Sequence, residues 1–264
     1  NLYNTNEYKD ECNINLTLLK NMMPALKKIN SMVGLPHIKN HIFNQAIYFL
    51  QGLENERNTF LHTIIEGESG MGKTMLANIL AELYVSMGIL KNKTILKAGR
   101  SDLIGSYLGQ TATKTRLYLE KALGGVLFID EAYSLGNKEK KDSYSKECID
   151  TITAFLSEHK NEFVCIIAGY KSDLDKCFFA YNSGLKRRFP YRISIDSYTD
   201  KELLDIFLSK ITTPWYINKD AITTEIIHKH RDLFPNNGGD MENLAFKCKL
   251  AHSKRIFNLD NIIK

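Results

Sequence analysis

The eight residues Gly67-Glu68-Ser69-Gly70-Met71-Gly72-Lys73-Thr74 constrain this chain more than any other stretch of it. They follow an apolar run, Thr63-Ile64-Ile65, and open a helical one beginning Met75-Leu76-Ala77, the strand–loop–helix setting that a phosphate-binding loop requires. Glycines at 67, 70 and 72 let the backbone turn tightly and aim successive N–H groups at an anion, at a helix N-terminus that favours negative charge. Lys73 then supplies a cation for β- and γ-phosphates, and the Thr74 hydroxyl a ligand for Mg²⁺. The alternative, a glycine-rich turn that happens to precede Lys-Thr, does not explain the flanking strand and helix.

Short β-rich runs at 60–66, 93–98, 125–129, 162–168 and near 191–195 alternate with helical ones at 73–87, 112–122 and 146–159. Such alternation predicts an α/β fold, βαβ units around a mostly parallel sheet. A helix precedes it from near Leu35, with Ile38, Ile42, Ala46, Phe49 and Leu50 at helical spacing. After Asp196 the strands stop. Thr199 and Glu202 form a capping box with Tyr198 and Leu203 as a hydrophobic staple, so a helix starts there. Further helices are expected at about 220–233 and 240–256, separated by Pro235-Asn236-Asn237-Gly238-Gly239. The expected division is a polar segment over 1–31 with a short helix interrupted by Pro24, an α/β nucleotide-binding domain over 32–196, and a helical domain over 197–264. With 264 residues, a chain can bury about three quarters of its unfolded surface, so a sizeable core is available.

Val126-Leu127-Phe128-Ile129-Asp130-Glu131 is an apolar strand ending in two acids. Carboxylates are costly at the end of a core strand unless they serve a cation or a water. Beside a phosphate loop, Asp130 is expected in the Mg²⁺ shell and Glu131 as the group that orients and polarises the attacking water. Tyr107-Leu108-Gly109 lies on a loop between a strand and a helix. An exposed tyrosine with a flexible neighbour can grip an extended peptide with little sequence preference; a tyrosine folded back onto the core fits the spacing equally well. Lys186-Arg187-Arg188 precedes the final strand, where a guanidinium could reach a neighbouring subunit's γ-phosphate, although basic triplets are more often solvated turns. The lysine-rich stretch 138–141 reads as solvated loop. His37 and His41, four residues apart, have the spacing of a two-histidine metal face but no evident third ligand, and a solvent-facing pair is the better reading. His228 and His230 point apart on a helix.

The net charge of +5, from 35 basic and 30 acidic residues, is too weak to argue for nucleic acid by itself. Five cysteines without a C-x-x-C pair fit a reducing, intracellular compartment better than a disulfide framework. No apolar run approaches the roughly 18–20 residues of a membrane span, and the Asn-rich opening shows no leader pattern.

Taken together these pieces resemble the AAA+ ATPases, and within them the branch of CbbX (red-type Rubisco activase), SpoVK and the type VII secretion ATPases. The likeness runs from about Val33-Gly34-Leu35 to Arg255 and is closest over 102–115, 124–133, 167–170 and 182–189. The resemblance implies a P-loop NTPase with a parallel-sheet αβα core and a small all-helical lid, using ATP and Mg²⁺. It implies a homo-oligomer, a hexameric ring, with Tyr107, Leu108 and Gly109 as the pore loop that pulls substrate. Arg188 falls on the arginine-finger position, with Lys186 at the other basic position of that motif. Val33 and Gly34 fall at the adenine-contacting linker, completed by Gly67 to Met75, and Gly169-Tyr170 occupies the sensor-1 region. One departure stands out. Where relatives read Asn-x-Arg-x-x-Arg-Asn at the last lid helix, this chain has Asn237-Gly238-Gly239-Asp240-Met241-Glu242-Asn243, so Gly239 and Glu242 replace the sensor-2 arginine. The wording of these segments, with the Asn/Lys/Ile-rich composition, looks like versions encoded by large DNA viruses.

The expectation is therefore an ATP-hydrolysing protein remodeller that threads a polypeptide client. A DNA-acting loader and a nucleotide-gated scaffold with weak hydrolysis are the alternatives. Tyr107-Leu108-Gly109 and the lack of a recognisable DNA-binding module argue against the loader, and only the missing arginine favours the scaffold. Fold and motif do not name the client.

Overall fold

Strands with no polar face must be covered on both sides, and three such strands build the centre of this protein. In the computed structural model, which describes residues 14–52, 60–107, 109–139, 142–212, 215–218 and 222–263, β1 (Thr63–Glu66), β3 (Val126–Ile129) and β4 (Val164–Gly169) are buried at every position. With β2 (Ile95–Ala98) and β5 (Tyr191–Ser194) they form a parallel five-stranded sheet in the order β2-β3-β4-β1-β5. Around the strands run α1 (Leu16–Ser31), α2 (Pro36–Leu50), α3 (Lys73–Ser86), α4 (Arg100–Leu103), α5 (Thr111–Glu120), α6 (Ser143–Glu158), α7 (Lys171–Asp173) and α8 (Leu185–Arg188). The α/β expectation holds. Leu127, Ile129, Ile149, Ile152, Phe155, Cys165 and Ile167, none of them solvent-exposed, make one continuous core between the sheet and α6.

By contact the chain divides into two units, one holding the residues up to Gly67 and from Lys73 to Ile195, the other Glu68–Gly72 and the residues from Asp196. The second contains α9 (Asp200–Ser209), α10 (Thr224–Lys229) and α11 (Gly238–Ile263). Thr199 caps α9 as its sequence demands, accepting from the Glu202 N–H while the Glu202 carboxylate accepts from the Thr199 N–H. Leu203, Phe207, Ile227, Met241 and Ala245 are buried in this helical unit.

Two local expectations are corrected. Pro24 does not interrupt α1. Its ring is solvent-exposed, and burial of Met22, Ala25 and Ile29 on the other face of the helix outweighs the lost backbone bond. The helix expected over 220–233 is short: α10 ends at Lys229, and Arg231–Leu233 is a separate 3₁₀ turn, while residues 219–221 lie outside the described ones. The lysine stretch is described only to Glu139, with Lys138 3.8 Å from Asp173.

His62, just before β1, is fully buried among the rings of Phe60, Phe163 and Phe189, and its Nδ1 accepts the Cys165 N–H of β4 at 3.0 Å. Burial pushes its pKa down to about 3, and a backbone bond at Leu156 opposes this only in part. A histidine held neutral in the fold but free to protonate when unfolded leaves stability untouched above its unfolded pKa of 6.5 and withdraws it as pH falls towards 3. The cost should reach on the order of 3 kcal/mol by pH 4. Thermal melts from pH 8 to 4 should show this acid sensitivity in the wild type. They should show it reduced in His62→Asn, whose side-chain oxygen accepts the same N–H without titrating.

Candidate nucleotide-binding site

The parallel register decides what meets at one edge of the sheet. Ile65 pairs with Ala168 and Glu66 with Gly169, while Ile129 pairs with Ile167. The chain therefore leaves β1 at Gly67, β3 at Asp130 and β4 at Tyr170 on the same side, the carboxyl edge at which ligands bind in open α/β sheets.

Lys73, the first residue of α3, donates from Nζ to the Gly67 carbonyl at 2.9 Å and lies 5.5 Å from the centroid of the Tyr170 ring. The ammonium is thus folded over the mouth of its own loop. The Thr74 hydroxyl donates to Asp130 Oδ2 at 3.4 Å. Two hard oxygen ligands converge here from different elements, a donor set that suits Mg²⁺. Gly70 and Gly72 have φ of 70° and 84°, the left-handed region in which a side chain is strained. Met71 is buried, and Met75, on the first turn of α3, is 49% exposed. Glu68 and Ser69 are exposed.

Asp130 and Glu131 are both exposed, so the expectation that burial makes them costly does not apply. The signal lies in the backbone instead. Glu131 has φ 51° and ψ 43°, a left-handed conformation that costs a non-glycine residue of order 1 kcal/mol or more and that clusters at functional sites. The Glu131 N–H donates to Asp130 Oδ1 at 3.0 Å, which fixes the Asp130 carboxylate against the backbone. Tyr133 follows two residues later, its ring 5.7 Å from that of Tyr170. Burial pushes its hydroxyl up to about 12, and the charge and hydrogen bond of Glu131 act in the same direction. A hydroxyl that keeps its proton can donate to the Glu131 carboxylate. Neither spacing nor composition marks Tyr133, because tyrosines after an acidic strand end are ordinary.

The remaining candidates are placed as follows. Arg188 ends α8; its Nε donates to Ser157 Oγ at 2.6 Å and its Nη1 to the Gly184 carbonyl at 2.7 Å. Lys186 is engaged by Asp175 at 3.1 Å. Asp175 also takes Arg192, and although burial works against it, these hydrogen bonds hold its carboxyl below the usual range. Tyr107 is 72% exposed and Gly109 has φ 80°; Leu108 lies outside the described residues. Gly34 and Leu35 take φ of 67° and 60° just before Pro36 opens α2, with Val33 partly buried beside them. His41 meets the edge of the Tyr191 ring, and no cluster of three His, Cys, Asp or Glu side chains suited to a metal occurs among the described residues. His228 is no idle partner of His230: its Nδ1 lies 2.8 Å from Asp200. Glu242 pairs with Lys210 at 3.1 Å.

A glycine-rich loop after β1 and an acidic end on β3, at the carboxyl edge of a parallel sheet, define a P-loop nucleotide-binding protein. The chain belongs to the ATPase family associated with various cellular activities (AAA), whose family model matches residues 63–196. It is 44% identical over 263 residues to a cfxQ-like protein, R730, of Acanthamoeba polyphaga mimivirus, covering 98% of this chain and 65% of that one. It is 37% identical over 187 residues to stage V sporulation protein K of Bacillus subtilis, covering 68% and 57%. It is 31% identical over 282 residues to the CfxQ homolog of Galdieria sulphuraria, covering 99% and 92%. The chain thus spans under two thirds of the length of the first two. Its fold is similar to that of the FIGL-1 AAA domain solved with ADP, at a TM-score of 0.56 and 18% identity, over 86% of this chain and 74% of that one. The likeness to the CbbX, SpoVK and type VII secretion branch, including a large-DNA-virus version, therefore holds. No described helix is long and apolar enough to cross a membrane.

Replacing Lys73 by alanine removes the ammonium over the loop mouth while leaving the first turn of α3 to a good helix former. ATP binding measured by calorimetry should fall by at least about a hundredfold, as expected for a lost charge-assisted phosphate contact of 1.5–3 kcal/mol compounded by the disturbed loop. The melting temperature without nucleotide should change little. Near-wild-type affinity would remove Lys73 from the site.

Proposed function

We propose that this chain is a Mg²⁺-dependent ATPase that works as a homo-oligomeric ring, a hexamer, and pulls a polypeptide client through its pore. The observation that carries the reading is Tyr107, a large aromatic side chain 72% exposed on the loop between α4 and α5, in a chain whose loop after β1 has the layout for phosphates. Membership of an ATPase family supports it, as does similarity to an ESX-3 secretion system protein, EccA3, of Mycobacterium leprae, 35% identical over 188 residues, 69% of this chain and 29% of that one.

In this reading the N–H groups of the 67–74 loop hold the phosphates, and Lys73 leaves Gly67 to neutralise charge on the β- and γ-oxygens. Val33 and Gly34 border the adenine. Thr74 and Asp130 hold Mg²⁺, which when bound draws charge from the leaving phosphate oxygens. Glu131, set by its left-handed backbone and the Tyr133 hydroxyl, takes the proton side of a water and aligns its oxygen with the γ-phosphorus. Arg188, stiffened by Ser157 and Gly184, reaches a neighbouring subunit's γ-phosphate. The scaffold reading draws on one observation, that the α11 positions expected to carry an arginine hold Gly239 and Glu242.

Glu131→Gln should bind ATP like the wild type and not turn it over. Arg188→Ala should also bind, and lose roughly 10³-fold or more in rate. Mixing the two restores interfaces that carry both an intact Arg188 and an intact Glu131, so part of the turnover should return. Activity that stays absent from such mixed oligomers would argue against a shared site. Tyr107 tests the threading itself. Tyr107→Ala should leave melting and basal turnover near wild type and abolish stimulation by an unfolded polypeptide, while Tyr107→Phe, which keeps the ring, should be mild. Stimulation by DNA and not by polypeptide would favour a loader, and negligible basal turnover in the wild type a scaffold.

A further inference from the structure

The loop segment Glu68–Gly72 belongs by contact to the helical unit, and what that unit does to it is specific. The Tyr198 hydroxyl, buried, donates to the Met71 carbonyl at 3.1 Å. The Asn237 amide reaches the Ser69 carbonyl at 3.5 Å. Between them the Asn236 carbonyl lies so near Gly70 that a Cβ there would stand 1.8 Å from its oxygen. The two donors share one organiser. Arg231 donates from Nη2 to the Tyr198 carbonyl at 3.1 Å and to Asn237 Oδ1 at 3.2 Å, with its Nε 3.9 Å from Asp200. Asn237 is itself buried and left-handed, with φ 50°. Its segment is braced by Asp240, which accepts from the Asn236 N–H at 2.6 Å.

A peptide unit is planar, with its carbonyl and the following N–H on opposite sides. Holding the Ser69 carbonyl therefore aims the Gly70 N–H away from the helices, and holding the Met71 carbonyl does the same for the Gly72 N–H. Those are amides that an anion at this loop would meet, and both sit at glycines with positive φ, where an unheld backbone has the widest freedom. We infer that Tyr198, Asn237 and Arg231 are positioning residues that pre-set the anion-binding amides of the loop from behind. The inference rests on the nucleotide reading of the loop. It also gives the helical unit a hold on the phosphates that needs no arginine at 239 or 242.

A loop that is correctly set only part of the time binds with an affinity reduced by that fraction. Loss of this hold should therefore fall on binding and not on chemistry. ADP, which carries the β-phosphate and is not hydrolysed, is the probe. By calorimetry Tyr198→Phe, which removes a single oxygen, should weaken ADP about fivefold, and Arg231→Gln about tenfold, the scale of one or two net hydrogen bonds. Arg231→Lys keeps the charge by Asp200 but lacks the fork, and should behave like Arg231→Gln. KM for ATP should rise in step, with kcat within about twofold, and the double variant should lose less than the product of the single losses because both act on one loop. Unchanged ADP affinity in Tyr198→Phe, or losses confined to kcat, would overturn the inference; Tyr198→Phe decides alone where Arg231→Gln does not fold. Wild type that binds ADP and Lys73→Ala that does not, beside Tyr198→Phe and Arg231→Gln that bind normally, would sink this inference and leave the nucleotide reading standing. Wild type that does not bind ADP would overturn both.

Discussion

The hydrogen-bonded register of β1 between β4 and β5 is the constraint on which the rest of the structure depends. In a parallel sheet the side-chain period is two, so a slip of one residue would exchange the two covered faces of β1, mismatch its packing and carry Gly67 out of line with Tyr170 and Asp130. The slip is opposed chemically as well as by packing. Glu66, the last residue of β1, is 1% exposed, and Arg192 of β5 closes on its carboxylate with Nε at 2.7 Å. Only Glu66 of this pair is buried, so the pair adds little against an apolar substitute, yet removing Arg192 alone would leave a buried carboxylate without its cation. It therefore selects the register more than it stabilises the fold. Arg192 also meets Asp175, and Asp175 holds Lys186 two residues before Arg188. The ion pair that seats the loop after β1 thus belongs to the network that seats α8.

The parts legible in the sequence are those whose cause is local or periodic. The phosphate loop declares itself through glycines forced by backbone geometry, the sheet through runs without a polar face, and the start of α9 through the Thr199–Glu202 box, which closes on itself within four residues. What misled was a local rule overridden by packing. Pro24 breaks an isolated helix, but α1 is held by the burial of Met22, Ala25 and Ile29, and the proline faces water. The acids at the end of β3 were the converse case. The expected reason does not apply, since Asp130 and Glu131 are exposed, and the distinguishing feature is a left-handed glutamate. Backbone strain leaves no trace in composition. Nor do Tyr133, Tyr198, Asn237 and Arg231, whose partners are carbonyls and rings that only the fold brings near.

Lys73, Tyr170 and Gly67 show how the site is arranged to exchange partners. The ammonium rests on a backbone carbonyl and near an aromatic face. Both are neutral acceptors, and each is worth much less to a cation than a phosphate oxygen is. Asp130 faces the Thr74 hydroxyl, which donates to it at 3.4 Å, at the place a divalent cation would take between the two oxygens.

The absent arginine on α11 is best understood through space and charge together. At Gly238 a Cβ would meet the Gly70 carbonyl oxygen at 3.0 Å, so that position is pressed against the loop. At Gly239 the nearest loop atom, Gly70 Cα, would be 3.7 Å away, an ordinary contact at a backbone without positive φ. Sterics therefore do not forbid a side chain at 239. At 242 the charge is reversed, and Glu242 is taken by Lys210, at the C-terminal end of α9. That exposed pair contributes at most about 1 kcal/mol, but it sets α9 against α11, the helices that carry Tyr198 just before one and Asn237 just before the other. What the helical unit offers the loop is two neutral donors, Tyr198 and Asn237, placed on its backbone carbonyls. The hold then acts on backbone carbonyls, groups that every nucleotide state of the loop retains, and not on a γ-phosphate that hydrolysis removes. On the inference drawn above, such a hold would answer to whether the loop is ordered by an anion more than to which nucleotide ordered it.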